Sequence, residues 1–143
     1  MKLPTFVPDA SVLLKWTLES GDEADSKKAL ELMQSWLAGK CRIVVPSFWI
    51  YEVGNILGLK QPALARQLLG ILVGYKLEEE MISDLYGSIF KLMSQADVSF
   101  YDAAYHATAM KHEGTFITAD QDYFRKAAPL GHVTRLDEWK YGD

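Results

Sequence analysis

Residues 42–57 read RIVVPSFWIYEVGNIL. The run IVV is apolar and β-branched, which suits a strand buried on both faces. From residue 47 the apolar side chains recur at helical spacing. Ser47 is the expected N-cap, so a helix over 47–59 starts where the strand 42–46 stops. A strand that passes directly into a helix is the opening half of a β-α-β crossover, whose second strand lies parallel to the first.

Reading outward, the same pairing recurs. LPTFVP (3–8) reads as a strand, followed by the short helix SVLLKWTL. DVSF (97–100) is expected as a very short strand leading into the helix YDAAYHATAM, and TFIT (115–118) leads into ADQDYFRKAA (119–128). A last strand is expected near HVTRL (132–136). Helical periodicity without strands covers 22–39, with Asp22 as N-cap and Gly39 as its end. It also covers a segment beginning at Pro62, with Leu64, Leu68, Leu69, Leu72 and Tyr75 on its apolar side, and residues 83–96. Alternating strands and helices predict an α/β chain: a three-layer α/β/α sandwich on a central parallel sheet of 4–5 strands, with residues 1–143 as a single domain.

Composition narrows the function. The chain has 143 residues, a net charge of −4 and one cysteine, Cys41. An intrachain disulfide is thereby excluded, and a reducing compartment, the cytoplasm, is expected. The N-terminus does not read as a signal peptide, and the longest apolar run, LLGILVG (68–74), is far too short for a membrane span. No membrane partner is expected. With no basic run in the chain, any nucleic-acid phosphates must be met by local lysines or by bound cations.

The carboxylates fall in equivalent places. Asp9 follows the first strand, Glu52 lies in the helix after IVVP, Asp102 opens the helix after DVSF, and Asp120 follows TFIT. In a parallel sheet the carboxyl ends of the strands share one edge, where ligands bind. Acids far apart in sequence converge there, and converging carboxylates raise one another's pKa. A hard divalent cation, Mg²⁺ or Mn²⁺, relieves that repulsion through oxygen ligands and suits phosphodiester cleavage. Each acid also has a plainer reading. Asp9 and Asp120 are preferred helix caps, and Ser99-x-x-Asp102 matches a capping box. Glu52 resists this reading, because it lies too deep in its helix, beside Phe48, Trp49 and Ile56.

Taken together, VPDASVLLKW, VVPSFWIYEVGNIL, SFYDAAYHATA and FITADQDYF resemble the signature blocks of PIN-domain proteins, in particular the VapC-type toxins of toxin–antitoxin pairs. The resemblance implies a Mg²⁺- or Mn²⁺-dependent endoribonuclease with Asp9, Glu52, Asp102 and Asp120 as its catalytic and metal-binding quartet. Cleavage would leave a 5′-phosphate and a 3′-hydroxyl. The resemblance also implies that Ser11, Thr118 and Asn55 orient carboxylates or metal-bound water, with Asp122 as an auxiliary ligand or a solvated first-turn acid. The partners it implies are an RNA substrate, a cognate antitoxin protein and a second copy of the chain. Two alternatives remain: a non-catalytic PIN-like module that binds RNA or protein, and a phospho-receiver domain. The receiver is disfavoured because Asp9 stands alone, Glu52 lies inside a helix, and no lysine follows HVTRL before Lys140. His106 is expected as a core histidine bonded to a neighbour. Lys15, Arg42, Lys60, Arg66, Arg125 and Lys126 are candidates for phosphate contacts, with solvated surface as their default.

Overall fold

In the computed structural model, which describes residues 2–17 and 23–141, the central strand is β1 (Thr5–Pro8). On one side it pairs with β2 (Arg42–Pro46), which pairs with β3 (Glu78–Glu80). On the other it pairs with β4 (Thr115–Thr118), which pairs with β5 (Val133–Arg135). All the pairings are parallel, giving a five-stranded sheet in the order β3-β2-β1-β4-β5. The register places Phe6 beside Ile43, Val7 beside Phe116, and Ile117 beside Thr134. The chain winds outward from β1 to β3 and resumes at β4 on the other side of β1. The strand order therefore reverses between β1 and β4, which opens a crevice at their carboxyl ends.

Alternation along the strands divides the core into two faces. Phe6, Ile43, Val45 and Ile117 point to one face. They pack there under α1 (Ala10–Leu14), α2 (Glu23–Leu37), α3 (Trp49–Lys60) and α4 (Ala65–Gly74), through Leu13, Leu32, Val53, Leu57 and Leu72. Val7 and Phe116 point to the other face. They meet Tyr105 and Ala109 of α6 (Phe100–Lys111) and Tyr123 and Ala127 of α7 (Gln121–Ala127). The helix α5 (Tyr86–Ala96) packs outside α6 through Ile89 and Leu92. Each fully buried large side chain contributes roughly 1.5–3 kcal/mol. α6 is buried on several sides at once, against β1, β2, β4 and α5. Its alanines at 103, 104, 107 and 109 allow that close approach. The three-layer expectation holds.

Several local expectations are corrected. DVSF is not a strand. Asp97 adopts φ +54° and ends α5, and Ser99 caps α6 by accepting the Asp102 N–H at 3.1 Å. Two helices therefore meet at a tight turn where a strand was expected. Conversely, the acidic run 78–80 forms the edge strand β3. Its charges all find partners: Glu78 with Arg42 at 2.7 Å, Glu79 with the Trp49 indole N–H at 2.7 Å, and buried Glu80 with Lys111 at 2.8 Å and His112 at 2.7 Å. Helix α3 begins at Trp49 without a side-chain cap, so Ser47 does not serve that role. Pro62 lies in the turn ahead of α4, where Leu64 at the N-cap is exposed, while Leu72 on the helix is buried. The Asp22 cap lies outside the described residues. No helix among the described residues is long and apolar enough to cross a membrane.

Gly114, at the entry to β4, tests this packing. A Cβ there would stand 2.4 Å from the Thr5 carbonyl oxygen, a backbone atom that cannot move aside. Gly114→Ala is expected to lower the unfolding free energy by about 1–3 kcal/mol. Gly70→Ala, on α4 with open space around the site, is expected to raise it by about 0.5–1 kcal/mol. Urea denaturation of both variants measures the contrast.

Candidate active site

Asp9 leaves the carboxyl end of β1 and caps α1. Its Oδ1 accepts the Val12 N–H at 3.1 Å and the Ser11 hydroxyl. Its Oδ2 accepts the Thr118 hydroxyl from the end of β4 at 2.6 Å. The carboxylate thus spans the crevice where the strand order reverses, and the residue is only 7% exposed. Burial pushes its pKa up to about 6. The Ser11 and Thr118 hydroxyls and the Val12 amide oppose that rise, and Asp102 adds to it.

The other acids approach from neighbouring elements. Glu52 projects from α3, half-buried, and its Oε1 accepts the Tyr105 phenol at 2.8 Å. Burial raises its carboxyl, the Tyr105 bond lowers it, and Asp102 and Asp9 raise it further. Asp102 lies in the first turn of α6. Burial raises it, Ser99 lowers it, and Asp120 raises it. Asp120 is the exposed N-cap of α7. Its carboxylate accepts the Tyr123 N–H at 3.1 Å, and its own N–H donates to the Thr118 hydroxyl at 3.0 Å. Thr118 is therefore a shared anchor for Asp9 and Asp120. Asp9, Glu52 and Asp102 each feel at least one other acid of the set, and the groups that hold them down are hydroxyls, an amide and a phenol rather than cations.

The remaining sequence candidates fall as follows. Ser11 and Thr118 both donate to Asp9. Asn55 is exposed in a cleft of about 390 Å³ lined also by Tyr51, Glu52, Ile56 and Tyr101. Asp122 pairs with Arg125 and Lys126 of its own helix. Arg42 is engaged by Glu78. His106 is a bonded core histidine, held by Tyr123 and Gly131. Tyr105, which donates to Glu52, is the site residue that the sequence does not single out. Its only signal there is a hydroxyl on a buried helix face, which needs a partner.

As the side chains stand, no three Asp, Glu, His or Cys residues among the described residues are gathered tightly enough to hold an ion. In donor chemistry the acids nonetheless fit a hard divalent cation. They supply oxygen only, they repel one another at partial burial, and a positive charge between them would relieve the strain on Asp9.

A family model described as PIN domain matches residues 6–129. Among solved structures, one similar to this chain is a toxin–antitoxin complex from Klebsiella pneumoniae. It is 16% identical with a TM-score of 0.67, over 91% of this chain and 96% of that one. Mycobacterium tuberculosis VapC20, described as a sarcin–ricin loop cleaving toxin, is 17% identical with a TM-score of 0.64, over 90% of this chain and 96% of that one. VapBC2 from Rickettsia felis, bound to a DNA fragment from its promoter, is 14% identical with a TM-score of 0.65, over 92% and 98% of the two chains. At these identities the likeness is one of fold. No curated protein matches the chain by sequence.

The buried acid makes stability depend on pH. The folded-state pKa of Asp9, about 6, lies above its ordinary 3.8. The native state therefore binds more protons than the unfolded one between those values, and stability falls as pH rises through that window. In EDTA, the stability of Asp9→Asn relative to the native protein is expected to rise by about 1–3 kcal/mol between pH 4.5 and 7.5. Urea denaturation at the two pH values measures it, and a difference independent of pH contradicts it.

Proposed function

This chain belongs to the PIN-domain family, and from that premise we propose that it is a Mg²⁺- or Mn²⁺-dependent endoribonuclease, the toxin of a toxin–antitoxin pair. The observation that carries the reading is the coupled set of acids at the β1–β4 crevice, centred on buried Asp9. Asp9, Asp102 and Asp120 are the residues that would hold the cation, with Glu52 beside them. When bound, the ion supplies positive charge for the scissile phosphate and acidifies a water for in-line attack.

The chain's own groups prepare that step. Ser11 and Thr118 fix both oxygens of Asp9, so its carboxylate cannot rotate away from the crevice. Tyr105 pins Oε1 of Glu52. This orients the other oxygen, Oε2, to accept the proton of the attacking water, and the raised pKa of Glu52 suits it to that role. Asn55 lies in the cleft beside Glu52. The similar solved structure named as a toxin–antitoxin complex supports a protein antitoxin as partner. A homodimer and a cytoplasmic location complete the proposal.

A second reading, a PIN-like module that binds RNA without cutting it, draws on the acids not being drawn into a closed cage. The family match leaves the phospho-receiver alternative without support.

Incubation of the purified protein with single-stranded RNA separates the two readings. Cleavage is expected with Mg²⁺ or Mn²⁺ and is lost in EDTA. Asp9→Asn is expected to lower the rate at least about 100-fold. Cleavage that survives EDTA overturns the metal-dependent reading. RNA binding without cleavage in either ion favours the second.

A further inference from the structure

Asp102 and Asp120 sit on different helices, and the described hydrogen bonds include none between their carboxylates. A link does form one turn further along each helix. His106 follows Asp102 by one turn on α6, and Tyr123 follows Asp120 by three residues on α7. The Tyr123 hydroxyl and His106 Nδ1 are 2.7 Å apart, and His106 Nε2 is 2.7 Å from the Gly131 carbonyl oxygen. The Tyr123 backbone N–H meanwhile holds the Asp120 carboxylate.

The chemistry of these partners selects one tautomer. A carbonyl oxygen only accepts, so Nε2 carries the hydrogen. Nδ1 is then an acceptor, and the Tyr123 O–H donates to it. The imidazole is 0% exposed and lies against Phe116 and Tyr123. An apolar residue would fill this place without the cost of desolvating a ring with two polar atoms. What the histidine adds is a directional tie between α6, α7 and the turn before β5, where Gly131 has φ +75°.

We infer that His106 and Tyr123 are positioning residues of the acid site: their hydrogen bond sets the separation of Asp102 on α6 from Asp120 on α7, and so the affinity for the divalent cation. This rests on the reading of the acids as a cation site. Neither side chain touches the ion or the substrate. Burial lowers the pKa of His106, the direction that favours the assigned neutral tautomer.

The test uses Mn²⁺ alone as the probe, with its dissociation constant measured by calorimetry on the native chain and on Tyr123→Phe, His106→Leu and His106→Asn. Thermal melts in EDTA establish that each variant is folded. Tyr123→Phe keeps the ring and removes only the hydroxyl, so it is the mildest change. It and His106→Leu are expected to weaken Mn²⁺ binding about tenfold. His106→Asn places an acceptor oxygen near the position of Nδ1 and is expected to restore most of that loss. A purely structural role would lower the melting temperature and leave the Mn²⁺ constant unchanged in all the variants, and that result overturns the inference. If the native chain takes up no Mn²⁺, the reading of the site fails and this inference falls with it, an outcome distinct from native binding with indifferent variants.

Discussion

The structure turns on one carboxylate kept almost wholly out of water. Asp9 stands at the seam between β1 and β4, and burial of its charge is offset by hydroxyls on both oxygens and one backbone amide. Those neutral donors do not cancel the desolvation, since the carboxyl remains shifted upward to about 6. A protein that spends stability in this way at a ligand-binding edge retains an electrostatic need. The neighbouring acids deepen that need instead of meeting it.

The capping and site readings of the acids are one arrangement. Asp9 and Asp120 do cap α1 and α7. Capping fixes where each carboxylate points, because one oxygen is bonded to an amide of the first turn. The Thr118 hydroxyl then ties the two caps together by donating to Asp9 and accepting from the Asp120 amide. Helix caps at the carboxyl edge of a parallel sheet are thus rigid mounts for acids. The aromatic shell beneath them, Tyr105 on Glu52 and Tyr123 on His106, holds the elements that carry the mounts.

Much of this was legible in the chain. The strands 42–46 and 115–118 are read to the residue from apolar runs that stop at a helix start. The convergence of Asp9 and Asp120 follows from their places after strands. Asp102 reaches the same edge by another route. No strand precedes it, and α6 is delivered by a left-handed turn at Asp97 that composition does not announce. The edge strand 78–80 was hidden for a related reason. Three glutamates read as loop unless their partners are known, and those partners, Arg42, Trp49, Lys111 and His112, are scattered over the chain. Local pattern carries the elements, whereas long-range hydrogen bonds decide the exceptions, and Tyr105 belongs with the exceptions.

The central claim is that these acids form one cation site. The most direct measurement is anomalous diffraction from crystals of the chain soaked in Mn²⁺. The account predicts a manganese peak in the crevice between β1 and β4, liganded by Asp9, Asp102 and Asp120. An empty crevice in crystals that bind manganese elsewhere, with Asp9 still bonded only to Ser11, Val12 and Thr118, would contradict it.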